Sequence, residues 1–165
     1  MADHLAAHFK SKGSYLVSDS VYQRFVKGNR KLGRPQGGNS YLFVAGGEAI
    51  DKVLEAAKKG DGYDFTVVEQ KLSLPPGTYA AAGGLWRIDV NVMTNCARFP
   101  TKDDPGANAE FVAGGFTKGG IPEILVINAP ARFAKQLAKP ASAHPKKGSE
   151  EAKTERNKKK GRAQQ

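Results

Sequence analysis

The 165-residue chain is long enough for one domain with a genuine core, and its formal net charge is +10. A single cysteine, Cys96, excludes an intrachain disulfide bond and a zinc site built from several cysteines. The three histidines lie near the two ends of the chain, at His4, His8 and His144. These positions exclude a histidine-centred hydrolase, zinc deaminase or nuclease from the middle of the chain, where carboxylates and other polar groups must carry any chemistry.

The positive charge is concentrated at the C-terminal end. Residues 1–130 carry 15 Lys and Arg against 13 Asp and Glu, whereas residues 131–165 carry 11 against 3. Because the second region has almost no large apolar side chain, it is predicted to be a disordered basic tail that contacts nucleic acid. Residues 1–13 are predicted to be an N-terminal arm, as a short helix or a loose segment, and residues 14–130 one domain. No apolar run is long enough for a signal peptide or a membrane span, so we expect no membrane insertion.

Hydrophobic periodicity and turn residues predict the secondary structure. The predicted elements in chain order are strand 14–19, helix 21–27, strand 40–45, helix 48–59, strand 64–74, strand 85–92 and strand 124–127. In the strand 85–92, Arg87 and Asp89 share one face, which predicts that they line a surface or a cleft. An ion pair of Arg87 with Asp89 or with a neighbouring strand is the alternative. Early helices followed by a strand-rich second half predict an α+β domain.

A basic loop connects the first helix to the second strand. Lys27, Arg30, Lys31 and Arg34 lie within eight residues of one another, among glycines. This run is suited to hold a phosphate group, and a solvated surface is the alternative interpretation.

The segment 103–127 is the most distinctive part of the chain. A turn rich in glycine and proline leads to Glu110, two Gly-Gly pairs follow, and an apolar run begins at Ile124. Glu110 is therefore predicted to lie between a turn and a core strand, where a sheet opens into a cleft. A solvated loop glutamate is the alternative.

Two stretches of this second half resemble the end of an ADP-ribosyltransferase toxin domain: Leu85-Trp-Arg-Ile-Asp-Val, and Asn108-Ala109-Glu110 followed by Gly119-Gly-Ile-Pro-Glu-Ile. In that family a strand precedes a loop with Gln-x-Glu or Glu-x-Glu. The segments 14–19 and 39–45 match the family's opening and middle strands more loosely, without its histidine or its Ser-Thr-Ser triplet. The first half and the turn 74–78 also resemble C-terminal toxin domains of bacterial contact-dependent and type VI systems.

The resemblance implies split antiparallel sheets around a cleft that binds NAD as a substrate, with no metal. Glu110 would be the catalytic carboxylate, which hydrogen-bonds the ribose 2′-hydroxyl and stabilises an oxocarbenium-like state. Asn108 would orient the acceptor. Because the family usually has Gln or Glu at this position, the type of target residue that would be modified stays open. The residues expected to bind NAD by ring stacking, hydrogen bonds or bidentate contact to the pyrophosphate are Tyr15, Ser40, Tyr41, Arg87 and Arg34.

The same resemblance implies a biological setting. The chain would be a bacterial toxin effector, exported by a specialised apparatus and active in the cytoplasm of a target cell. Its target would be a protein or RNA, and a cognate acidic immunity protein would be its partner.

Three other functions stay open at this point. The first is an NAD glycohydrolase on the same fold, with water as the acceptor. The second is a metal-independent RNase that uses Arg87, Asp89, Arg98 and Lys118 on a sheet face. The third is a non-enzymatic module whose tail docks nucleic acid or an acidic partner. An NAD-consuming enzyme depends on Glu110, whereas an RNase of this type requires no NAD and depends more on Arg87.

Overall fold

Seven strands form one antiparallel sheet in a computed structural model of the chain, which describes residues 1–79, 84–130 and 134–138. The strands of this sheet are β1 (Lys12–Val17), β2 (Arg34–Gln36), β3 (Asn39–Gly46), β6 (Leu85–Asn91), β7 (Cys96–Arg98), β8 (Glu123–Ile127) and β9 (Ala134–Ala138). A small separate sheet consists of β4 (Lys58–Lys59) and β5 (Gly62–Tyr63). The helices are α1 (Ala2–His8), α2 (Asp19–Val21) with a π-helical turn (Tyr22–Val26), α3 (Gly47–Ala57) and α4 (Phe65–Lys71).

The main sheet runs in the order β7-β8-β3-β1-β6-β9, with β2 beside β3. The predicted α+β class is confirmed as a mixture of early helices and antiparallel strands. Most predicted elements are also confirmed, because their apolar residues do recur at the spacing of a helix or a strand.

The predicted strand 64–74 is wrong, because this segment forms α4. The Asp64 carboxylate caps the helix and accepts hydrogen bonds from the backbone N–H groups of Thr66 at 3.0 Å and Val67 at 3.4 Å. Val68 is fully buried in the core that α3 also enters. The cap and this burial outweigh the strand preference of two adjacent valines.

The sheet extends beyond the predicted end of the domain at residue 130. Strand β9 lies in the segment assigned to the basic tail, yet it pairs with β6 over Leu85–Ile88. Its first three residues are exposed, so the backbone ladder holds this edge strand more than side-chain burial does, and hydrophobic periodicity does not reveal it. The other residues of the predicted tail lie outside the described residues.

Both faces of the sheet are covered. Against one face pack α1 and the π-helical turn, which contribute Leu5, Phe9 and Val26 to a core. Against the other pack α3 and α4, in a second core that includes Val68 and Tyr79. The predicted N-terminal arm is therefore part of the fold, since Leu5 and Phe9 are 8% and 1% exposed.

The sheet divides between β1 and β3. These strands pair only at Gly13 with Gly46 and at Ser14 with Ala45, whereas β1 stays paired with β6 over residues 12–17. At its other end, β3 pairs with β2 instead. No ladder joins residues 15–17 of β1 to residues 42–44 of β3, so a gap opens there in the sheet.

The last joined row of the sheet crosses four strands. Glu123 lies opposite Ala45, Ala45 opposite Ser14, and Ser14 opposite Asp89. Residues directly opposite each other share one face of a sheet. The Ser14 hydroxyl donates to Asp89 Oδ1 at 2.6 Å, and Arg87 Nη2 donates to Ser14 Oγ at 3.0 Å.

Arg87 ties this row to α3. Its guanidinium donates to Asp89 at 3.0 Å, to the Asp51 carboxylate, and to the backbone carbonyl of Gly47 at 3.2 Å. Although burial alone raises the pKa of Asp89, hydrogen bonds from Ser14 and Arg87 lower it below its ordinary value. Asp89 therefore stays ionised as the partner of Arg87, whose side chain is only 11% exposed.

Tyr79 fills part of the gap between β1 and β3. Its hydroxyl donates to the backbone carbonyl of Leu16 at 2.9 Å, where β1 has left β3. Its backbone N–H donates to the buried Glu69 carboxylate at 3.2 Å. Burial raises the pKa of the Tyr79 hydroxyl, so it remains a neutral donor.

Removing this donor should destabilise the fold. Tyr79→Phe leaves the Leu16 carbonyl unpaired at a buried position, which costs about 1–3 kcal/mol of unfolding free energy and roughly 2–4 °C in melting temperature per kcal/mol. Thermal unfolding followed by circular dichroism measures the loss. The matched control is Tyr63→Phe, because the Tyr63 hydroxyl bonds no other described residue, and its melting temperature should stay close to that of the wild type. Equal losses in the two variants would contradict the role of Tyr79.

Candidate functional site

A cavity of about 880 Å³ opens where the sheet divides. Residues 14–18 line one side and residues 41–45 of β3 the other, and segments 72–75 and 105–108 also contribute to the lining. The volume lies within the roughly 300–1,000 Å³ that is typical of small-molecule sites. A division in the sheet therefore creates the candidate site.

The structure brings five of the seven predicted site residues to this cavity. They are Glu110, Asn108, Tyr15, Tyr41 and Arg34. Ser40 and Arg87 do not line it. Ser40 is 6% exposed, and its backbone N–H donates to Asn128 Oδ1 at 3.0 Å. Arg87 is engaged beneath α3, so its role in this structure is to hold the sheet.

Asp104 fixes the turn that leads to Asn108 and Glu110. Its carboxylate accepts two hydrogen bonds from Arg98, at 2.8 and 2.6 Å, and one from the backbone N–H of Thr101 at 2.7 Å. The Arg98 guanidinium lowers the pKa of Asp104 to about 2. Arg98 also lies 6.0 Å from the centre of the Tyr41 ring, which links the turn to β3.

Glu110 lies at the rim of the cavity. Asn108 Oδ1 accepts a hydrogen bond from the Glu110 backbone N–H at 2.8 Å, which shapes the loop locally. The Glu110 carboxylate accepts from Lys118 Nζ at 2.9 Å, and the two side chains are 45% and 66% exposed. Because an exposed pair of this kind contributes little stability, Glu110 can exchange Lys118 for a ligand at small cost.

Glu123 is a second carboxyl at the cavity, and the sequence predictions do not include it as a site residue. It begins β8 opposite Ala45, in the last joined row, and its carboxyl forms no hydrogen bond or ion pair with another described residue. Burial raises the pKa of Glu123 from 4.5 to about 7. The available signal was a carboxylate placed directly before the buried run that starts at Ile124.

Arg34 and Tyr15 add a cation and an aromatic ring to the lining. Both residues line the cavity. Burial raises the pKa of the Tyr15 hydroxyl, while the positive charge of Arg34 acts in the opposite direction. Arg34 is exposed on β2, opposite Tyr41, and forms no ion pair with a described carboxylate. It is therefore available to an anionic ligand.

Two apolar side chains at the cavity remain in contact with water. Phe25 is 57% exposed and Val112 is 46% exposed. An exposed aromatic ring beside a cavity is suited to stack on a planar ligand.

The residues proposed for RNA cleavage do not form one set. Arg87 pairs with Asp89 and Asp51, whereas Arg98 pairs with Asp104 and Lys118 pairs with Glu110. Within residues 1–79, 84–130 and 134–138, no group of three or more His, Cys, Asp and Glu side chains is arranged to hold a metal ion. In the same part of the chain, no helix has the length and apolar character needed to cross a membrane.

The fold and the site together define a mixed α/β protein with a divided antiparallel sheet and a cavity lined by two carboxyl groups. No family model, curated protein or solved structure matches the chain. Its function must therefore be inferred from the cavity itself.

The raised pKa of Glu123 predicts how stability depends on pH. Protonated Glu123 favours the folded state below pH 4.5, and this contribution is lost as the pH rises through about 7. Across this window the wild type should lose on the order of 2 kcal/mol relative to Glu123→Gln, which cannot ionise. Urea unfolding at about pH 4.5 and about pH 8.5 measures the difference.

The control for this comparison is Glu55→Gln, which makes the same change at an exposed position of α3. The comparison with this variant removes the effect of losing a carboxylate as such, so only the additional pH dependence of Glu123→Gln counts toward the prediction. If the difference in unfolding free energy between the wild type and Glu123→Gln were independent of pH, the surroundings of Glu123 would not raise the pKa of its carboxyl.

Proposed function

We propose that the cavity binds NAD and that the protein transfers ADP-ribose from NAD to a target, on an ADP-ribosyltransferase-like arrangement of split sheets. The observation that carries this proposal is the cavity at the division of the sheet, lined by Glu110, Glu123, Tyr15, Tyr41 and Arg34. These side chains supply negative charge, aromatic surface and one cation. Among the described residues that line the cavity there is no histidine, which suits a reaction that carboxylates assist.

The chemistry requires negative charge next to the ribose. When the bond between ribose C1′ and the nicotinamide nitrogen breaks, nicotinamide leaves with the electron pair and the ribose becomes oxocarbenium-like. A fixed carboxylate stabilises this cation, as in glycoside cleavage. The acceptor then bonds to C1′ and gives up a proton.

The two carboxyl groups differ in their surroundings, and this difference suggests separate roles. The sequence assigns the ribose contact to Glu110, but burial and a rigid strand favour Glu123, because electrostatic stabilisation is stronger where water is excluded. The positive nicotinamide ring would lower the pKa of Glu123 again and keep it ionised. Glu110, at the solvent-exposed rim beside Asn108, is then placed to orient the acceptor and accept its proton.

The remaining lining groups match the other parts of NAD. Tyr15 or Tyr41 would stack on the nicotinamide ring. Arg34 would bind the pyrophosphate, in place of Arg87, whose guanidinium already serves Asp51, Asp89 and the Gly47 carbonyl.

Water is the second candidate acceptor, since the Glu110 side chain is 45% exposed at the rim. With water the same cavity would hydrolyse NAD. A bacterial toxin effector that is exported into the cytoplasm of a target cell, with an acidic immunity protein as partner, is the setting we propose for either activity.

The test is NAD consumption by the purified chain, with and without total cell RNA and protein extract. Nicotinamide release should fall by roughly a hundredfold or more in Glu123→Gln and in Glu110→Gln, while Glu55→Gln retains the wild-type rate. In the wild type, kcat/KM should rise as the pH passes about 7, since Glu123 must lose its proton. Nicotinamide release that requires the extract indicates transfer to a target, whereas release without the extract indicates hydrolysis. Intact NAD under every condition would overturn the proposal.

A further inference from the structure

The longest stretch of the chain without a carboxylate lies beside the cavity. Between Asp19 and Glu48 there are five Lys and Arg and no Asp or Glu. These five cations, here called the basic face, are Arg24, Lys27, Arg30, Lys31 and Arg34. The rest of residues 1–130 carries 10 Lys and Arg against 13 Asp and Glu. The positive charge of the folded region is thus concentrated in this one segment.

The chain reaches the cavity on both sides of the loop 27–32. Phe25 and Val26 line it at the end of the π-helical turn, and Gly33 and Arg34 line it at the start of β2. The loop that carries the other cations spans only residues 27–32. It must therefore lie beside the cavity, because both of its ends do.

The loop is anchored at its second end. Leu32 is 1% exposed, and its backbone N–H donates to the Ala129 carbonyl at 2.8 Å. Gly33 has a φ of 97°, and a Cβ there would lie 2.2 Å from the Tyr41 carbonyl oxygen. Only glycine fits this position, so the turn that directs the chain into β2 is fixed by sterics.

The cations of the basic face are exposed and have no anionic partner in the part of the chain that the structure describes. An uncompensated group of like charges opposes folding slightly and attracts polyanions. Binding to a polyanion is therefore a better explanation for this group than a contribution to stability.

Phe25 distinguishes between the possible polyanions. Its ring is 57% exposed, and the Arg24 guanidinium lies 5.2 Å from the ring centre. Single-stranded nucleic acid offers both phosphates for the cations and unstacked bases for an exposed ring. In a duplex the faces of the bases are stacked on one another and cannot contact the Phe25 ring. The carboxylates of an acidic protein would pair with the cations but would not stack on the ring.

We propose that the basic face and Phe25 bind single-stranded nucleic acid and present it to the cavity as the acceptor of ADP-ribose. The transfer step rests on the proposed function, whereas the binding step does not. In the transfer, an amino or hydroxyl group of a nucleotide bonds to ribose C1′, the bond to nicotinamide breaks, and the displaced proton passes through Glu110 to solvent.

Binding is tested by fluorescence anisotropy on the full chain, with a labelled single-stranded RNA of about 12 nucleotides and a salt titration. The variant is Lys27→Glu with Arg30→Glu and Lys31→Glu. The matched control is Lys52→Glu with Lys58→Glu and Lys59→Glu, three exposed lysines that do not line the cavity. Both variants change the net charge equally and keep the 11 Lys and Arg of residues 131–165.

The basic-face variant should bind the RNA at least tenfold more weakly, and its salt slope should fall by about 2, since roughly 0.7 is lost per phosphate contact. The control should stay within about threefold of the wild type. Phe25→Ala should bind roughly tenfold more weakly with an unchanged salt slope. Equal loss in the two triple variants, or equal competition by polyglutamate or duplex DNA, would overturn the proposal.

Transfer is tested with NAD labelled in its adenylate phosphate. The wild type should label the RNA. The basic-face variant should label it at least tenfold less, while its rate of NAD hydrolysis should stay within twofold of the wild-type rate. Label on protein without label on RNA would overturn the acceptor role. No NAD consumption by the wild type would overturn the proposed function and the acceptor role together, and the anisotropy result would still decide whether the basic face binds nucleic acid.

Discussion

The short ladder between β1 and β3 is the constraint on which the candidate site depends. Two strands that stay paired leave no room between them, and two that separate expose backbone groups that need partners. Here β2 pairs with part of β3, and Tyr79 donates to the Leu16 carbonyl. The Ser14 hydroxyl in the last joined row donates a hydrogen bond to Asp89 and accepts one from Arg87, which stabilises this row. The protein can therefore keep an open sheet in which the exposed edges are partly satisfied and the junction is fixed.

The two carboxyl groups of the cavity show how position sets chemistry. Glu110 is solvated and paired with Lys118, whereas Glu123 is partly buried and forms no such pair among the described residues. Residues of one type in such different environments can serve an acid–base role and an electrostatic role in the same reaction. Each of the two residues is positioned by the structure next to it. The turn fixed by Asp104 precedes Glu110, and Glu123 lies in the ladder between β8 and β3.

The sequence allowed a good part of the fold to be predicted, because periodicity reports on burial along one element. The prediction failed for α4, because the Asp64 cap stabilises a helix despite the strand preference of two valines. It also failed for β9, because backbone hydrogen bonds of an edge strand form the pairing. The Glu110 loop was located by its glycines. The ion pair of Arg87 with Asp89 was one of the two interpretations of that strand, but the Asp51 partner on α3 could not be assigned from the chain. Glu123 could not be assigned either, since its place follows from register.

The divided sheet also has a mechanical consequence. Among the described residues, the half formed by β7, β8, β3 and β2 pairs with the half formed by β1, β6 and β9 only through the two residue pairs of the β1–β3 ladder. One buried core, which includes Val17 and Val44, packs across both halves and holds the angle between them. The width of the gap follows from this angle, so the fit of a molecule that contacts both walls would depend on the angle as much as on any single side chain.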